Sequence, residues 1–129
     1  MQLRYIILYV ADVPAAMAFY EAAFGLTRLF LHDGGDYGEM ATGHTRLTFS
    51  AHTLMQQLGK TPGTARPDAP VFELAFETED VASSYSRALA AGATAFTPPH
   101  AQPWGQTISY VSDPNGYLVE ICSPVASPG

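Results

Sequence analysis

The chain repeats itself, and that repetition restricts its fold more than any other feature. The stretches "YIILYVADVPAAMAFYEAAFG" at 5–25 and "ELAFETEDVASSYSRALAAG" at 73–92 share one order: an apolar segment, an acidic residue, a helical pattern and a glycine stop. Setting Asp12 against Asp80 and Val13 against Val81 brings Tyr5 opposite Glu73. The closing segments "TRLTFS" and "LVEICS" then align, with Arg46 opposite Glu120. Such self-similarity marks an internal duplication of one supersecondary unit. With 129 residues and 47% hydrophobic content, two large domains are excluded, and one domain over 1–129 with an adequate core is expected.

The unit itself follows from periodicity. Ile6, Leu8 and Val10 alternate with Tyr5, Ile7 and Tyr9, which predicts a strand. Asp12 is placed to cap a helix that has Pro14 in its first turn and Gly25 at its stop, with Met17, Tyr20 and Phe24 as its buried stripe. "LTRLFLHDGGD" is a strand entering a turn, and "YGEMATGH" and "TRLTFSAH" complete an antiparallel meander. The fold class is therefore α+β: two β-α-β-β-β modules forming a curved mixed sheet around a cleft. Module 1 is expected over 1–52 and module 2 over 71–123. Gly and Pro mark 53–70 as a linker with one helical turn at its start, and 124–129 is a short tail.

Six basic against twelve acidic residues leave a net charge of -6 without a basic cluster, so nucleic acid is not an expected partner, and a cationic ligand is favoured over an anionic one. The N-terminal apolar run is interrupted by Asp12 well short of a membrane span. Membrane association is not expected. The single Cys122 cannot form an internal disulfide, which fits a reducing cytoplasm, and it reads as a packed residue.

Alternation also assigns faces. Leu47 and Phe49 are core while Arg46, Thr48 and Ser50 share the open face; Phe72, Leu74 and Phe76 turn inward while Val71, Glu73, Ala75 and Glu77 turn out. Glu120 falls on the face away from Val119 and Ile121. Burying it unpaired would cost several kcal/mol, so it needs water, a cleft or a partner. Two modules facing one another would gather Tyr5, Arg46, Glu73 and Glu120 in one cleft. Tyr9, Thr48, Ser50 and Tyr110 add hydroxyl groups, and Trp104 is expected as a stacking residue on a Pro-rich loop. His100 is placed on that same loop, where it could reach a ligand, while His32 and His44 are solvated. His52 shares the strand parity of Arg46 but lies too far along to join it. "DPNG" at 113–116 is a hairpin turn, and Asp113 is turn chemistry. No phosphate-binding loop, nucleophile elbow or zinc-type cysteine spacing occurs.

The segments "YIILYVADV", "FYEAAFGL", "ELAFETEDV" and "PWGQ…YVSDPNGYLVEI", in this order, resemble the glyoxalase / bleomycin resistance / extradiol dioxygenase superfamily, the vicinal oxygen chelate fold. The likeness covers almost the whole chain. It implies a homodimer of paired half-barrels, and in the family's metal enzymes it implies four ligands, one from the first and last strand of each module. Carried over, those positions are Tyr5, Arg46, Glu73 and Glu120. Arg46 has donors only, and Tyr5 is a poor replacement for an imidazole because its phenol titrates near pH 10. Any metal would rest on Glu73 and Glu120 alone, and Arg46 is expected to stand between them as an ion pair in place of the cation.

Three functions follow from the resemblance and these departures. The first is a small-molecule binder without metal or other cofactor, closest to the bleomycin-resistance branch, that sequesters a planar or cationic natural product in a resistance role. The second is a metal-dependent lyase, isomerase or dioxygenase. The third is an assembly or stress protein with a vestigial cleft. The first fits the lost ligands, the aromatic face and the acidic balance; whether any reaction is catalysed is left open by the residues alone.

Overall fold

The computed structural model of the chain describes residues 1–125; the tail expected over 124–129 lies from 126 onward outside them. The chain divides into two compact units, Met1–Thr64 and Ala65–Gly129. Unit 1 runs β1 (Tyr5–Val10), α1 (Val13–Phe24), β2 (Thr27–Leu31), β3 (Tyr37–Ala41), β4 (Arg46–Ala51) and α2 (His52–Gln57). Unit 2 runs β5 (Glu73–Glu77), α3 (Val81–Ala90), β6 (Thr94–Ala101), β7 (Thr107–Ser112) and β8 (Leu118–Cys122). The expected α+β class and the β-α-β-β-β order of each module are present, with one four-stranded mixed sheet per unit.

The sheets have matching topology, β1-β4-β3-β2 and β5-β8-β7-β6. In each, the first strand lies parallel to the last, and the other pairs are antiparallel. A parallel pair needs a long crossover, and the helix with its two following strands supplies it.

Helices α1 and α3 begin as the sequence indicates. The Asp12 carboxylate accepts from the Ala15 amide at 3.0 Å, and Asp80 accepts from Ser83 at 3.0 Å, each satisfying an amide that the first turn leaves without a carbonyl. Gly25 closes α1 at φ 68, a left-handed cap that only glycine adopts without penalty. The core of unit 1 forms where α1 covers one face of its sheet: Met17 and Tyr20 are fully buried, and the Tyr20 ring lies 5.2 Å from that of Phe49. The buried side of α1 is broader than a three-residue stripe, since Ala16, Phe19 and Ala23 are buried too and Phe24 is only half-buried. In unit 2, α3 covers the face that carries Val111, Val119 and Ile121.

Four expectations need correction. The linker opens with the six-residue α2 rather than a single turn, so β4 ends at Ala51 and His52 starts a helix. Phe72 is not core: β5 begins at Glu73 and Phe72 is 46% exposed, with its ring edge-on to Tyr117 at 6.0 Å. Pro67 and Pro70 just before it cannot donate to a ladder, which keeps that stretch outside the sheet. His100 lies in strand β6, opposite Ile108, not in a loop. Pro98 and Pro99 are tolerated there because β6 is an edge strand and its register shifts between Thr97 and His100.

The fourth concerns the repeat. Tyr5 pairs with Arg46, whereas Glu73 pairs with Leu118 and Glu120 sits beside Ala75. By strand register, Glu120 corresponds to Thr48, and Arg46 to Leu118. The shift of two residues preserves the face, because side chains alternate with period two.

Candidate functional site

Each sheet has one face under its helix and one turned away, and the second carries the candidate residues. In unit 1, β1, β4 and β3 turn Tyr5, Ile7 and Tyr9, then Arg46, Thr48 and Ser50, then Tyr37 and Glu39 to that face. Tyr5 and Ile7 are each 45% exposed. Thr48 and Ser50 are buried, and the Thr48 hydroxyl donates to the Ile6 carbonyl at 3.2 Å, so Thr48 serves the sheet first. Tyr9 lies under the Lys60 ammonium, which stands 5.5 Å from its ring centroid.

The strongest interaction on this face involves two residues that the sequence reading did not single out. Arg46 Nη1 donates to Glu39 Oε1 at 2.6 Å, and Tyr37 Oη donates to Glu39 Oε2 at 2.7 Å. The Glu39 side chain is only 12% exposed. Burial pushes its carboxyl pKa up, but the hydrogen bonds from Arg46 and Tyr37 and the charges of Arg46 and Arg4 outweigh this and hold it below the usual value. Reciprocally, the bond to Glu39 raises the guanidinium of Arg46. Burial and then Glu39 push the Tyr37 phenol up to about 12. Alternation in "YGEMA" does place Tyr37 and Glu39 on the Arg46 face, but the bonds depend on a register that sets Glu39 opposite Thr48, diagonal to Arg46.

In unit 2, β5, β8 and β7 bring Glu73, Glu120 and Tyr110 together. Glu120 is paired opposite Tyr110 and flanked on its own face by Leu118 and Cys122, both buried. Burial raises its pKa, the Glu73 charge raises it further, and a hydrogen bond from Tyr110 opposes them. Tyr110 is itself raised by burial and by the two carboxylates. Cys122 is raised by burial and then by Glu120, and its thiol donates to the Phe76 carbonyl at 3.6 Å, the behaviour of a packed cysteine. Trp104 is 57% exposed in the β6–β7 turn, where its indole N–H donates to Gln106 at 2.8 Å. His100 is exposed, with Nδ1 at 3.0 Å from the Pro98 carbonyl. Asp113 caps its own turn, accepting from the amides of Asn115 and Tyr117 at 2.9 Å each.

Among the described residues, no group of three or more His, Cys, Asp or Glu side chains is disposed to hold a metal ion. The residues of unit 1 fit one poorly. By either correspondence the place opposite Glu120 holds Arg46 or Thr48, neither of them an imidazole or carboxylate, and Glu39 already has both oxygens engaged. No helix among the described residues is long and apolar enough to cross a membrane.

The family model described as Glyoxalase/Bleomycin resistance protein/Dioxygenase superfamily matches residues 2–121. Among solved structures, a glyoxalase-related enzyme from Fulvimarina pelagi is similar at TM-score 0.82 and 26% identity, covering 100% of this chain and 95% of its own. A glyoxalase/bleomycin resistance protein/dioxygenase family enzyme from Burkholderia phytofirmans PsJN is similar at TM-score 0.80 and 24% identity, covering 98% and 100%. A lactoylglutathione lyase from Agrobacterium tumefaciens is similar at TM-score 0.71 and 23% identity, covering 95% and 92%. No curated protein sequence matches the chain.

Proposed function

We propose, from the premise that this chain belongs to the glyoxalase/bleomycin resistance protein/dioxygenase superfamily, that it binds a small ring-bearing organic molecule without a metal. Sequestration of a natural product, in a resistance role, is the activity we assign to it, with the protein acting as a homodimer. The observation that carries this reading is the state of Glu39. Of the residues that β1, β3 and β4 turn to the open face, it is the one carboxylate, and Arg46 and Tyr37 occupy both its oxygens. A cation placed there would have to break a charge-assisted pair and then sit against a guanidinium.

Binding needs exposed apolar and aromatic surface with a few fixed polar groups. Unit 1 offers Tyr5, Tyr9 and Arg46; unit 2 offers Tyr110 next to the carboxylates Glu73 and Glu120, which suit a cationic group, and, on its β6–β7 turn, the exposed Trp104. Thr48 and Ser50 contribute by shaping the sheet beneath.

The enzymatic alternative has one observation in its favour. Glu120 is a half-buried carboxyl with a raised pKa and a phenol partner, the environment that general acid–base catalysis uses. A thermal-shift screen of planar and cationic natural products, run with and without a chelator, separates the two. The binding reading expects hits that survive chelation, with a ligand at about 100 times its dissociation constant adding about 2.7 kcal/mol of stability. Hits that vanish with the chelator, or turnover restored by a divalent metal, would overturn it.

A further inference from the structure

The Glu39–Arg46 pair has a consequence for the kind of ligand. Arg46 uses one N–H group on Glu39, while its side chain remains 35% exposed. A guanidinium has further donors on its other edges, arranged in a fork that matches an oxyanion. Glu39 is the carboxylate whose charge bears on Arg46, and Arg4 also acts on Glu39. Arg46 is therefore an exposed cation of this face, within a chain of net charge -6, and its amide donates to the Arg4 carbonyl at 2.8 Å. Charges more than about 10 Å away are screened at ordinary ionic strength, so the local balance governs what binds here. Apolar surface lies directly alongside: Tyr5 is the register partner of Arg46, and Ile7 follows on the same face, both exposed.

We propose that Arg46, held in place by Glu39 and Tyr37, receives an oxyanion of the ligand, a carboxylate or a phosphate, while the ligand's ring or hydrocarbon part lies on Tyr5 and Ile7. The inference rests on the binding reading above but departs from its charge preference: the group received at Arg46 is an anion, although the net charge of the chain favours cations. Glu39 is then a positioning residue: it fixes the guanidinium in advance, so less side-chain freedom is lost when the anion arrives.

The test is an amide-shift titration of the full chain with benzoate, phenylphosphate, the neutral isostere benzamide and the cation benzylamine. Benzoate or phenylphosphate is expected to move the resonances of Tyr5, Ile7 and Arg46, at least about tenfold more tightly than benzamide, as the loss of a charge-assisted bond predicts. Whichever anion binds more tightly assigns the group as carboxylate or phosphate. Arg46→Gln is expected to abolish the difference between benzoate and benzamide. Should that variant fail to fold, the comparison of anion with isostere on the unmodified protein decides alone. Equal affinity for benzoate and benzamide, shifts centred away from Arg46, or no shifts at all would overturn the inference. Benzylamine binding with both anions silent would do so too, while leaving the ligand-binding reading in place.

Discussion

At Glu39 and Glu120, two carboxyls on strands of similar pattern meet opposite fates, and neighbours make the difference. Glu39 has a guanidinium and a phenol on its two oxygens; Glu120 has a phenol, a second carboxylate and buried Leu118 and Cys122 beside it. Glu120 thus holds its proton more tightly in the folded chain than in the unfolded one. Its contribution to stability is full below the ordinary carboxyl pKa and is lost as pH rises through the raised value. Glu120→Gln should therefore raise Tm at neutral pH and flatten the profile through that window; an unchanged profile would count against the assigned environment. Tyr37 behaves alike at the other end of the scale. Its stabilisation is full below its ordinary pKa of 10.0 and is lost as pH climbs to about 12. Tyr37→Phe should cost about 1 kcal/mol at neutral pH and remove one late-ionising phenol from an alkaline absorbance titration. Period-two alternation put Arg46 and Glu120 on open faces from sequence alone. It could not supply Glu39 as the partner of Arg46, because a cross-strand diagonal depends on the turn that joins β3 to β4.

Elements were legible where local chemistry decides them. Asp12 and Asp80 announced two helix starts because a carboxylate followed by a helical pattern has an amide three residues on to accept from. Elements were misread where tertiary context overrides composition. "TPPHA" looks like loop, yet an edge strand accommodates it, since nothing on its outer side needs the missing N–H groups. "HTLMQQ" lacks a side-chain cap and still forms α2, with Met55 buried. Contact between α1 and its sheet rests on one glycine: a Cβ on Gly38 would collide with Met17 Sδ and crowd the Phe30 carbonyl. Because Met17 is fully buried and has little room to move, Gly38→Ala should destabilise by about 1–3 kcal/mol in denaturant unfolding, the usual cost of overpacking. Gly63→Ala, with open space around the added carbon, should change little. Equal effects at the two positions would show that this helix–sheet contact is not tightly packed.

For the whole molecule, the duplication was readable because both copies retain the same strand, cap, helix and stop, and two sheets with matching strand order follow from it. The two-residue difference in register between β1·β4 and β5·β8 was not readable, since alternation is blind to shifts of two. Whether Arg46 or Thr48 answers to Glu120, unit 1 presents neither a free carboxylate nor an imidazole from β1, β3 or β4, which supports the metal-free binding proposed above. Equilibrium dialysis of the purified protein against zinc, nickel, manganese and iron(II), with bound metal counted per chain, tests this most directly. No stoichiometric retention of any of them is expected; one equivalent retained by the unmodified protein and lost in Glu73→Gln or Glu120→Gln would contradict metal-free binding.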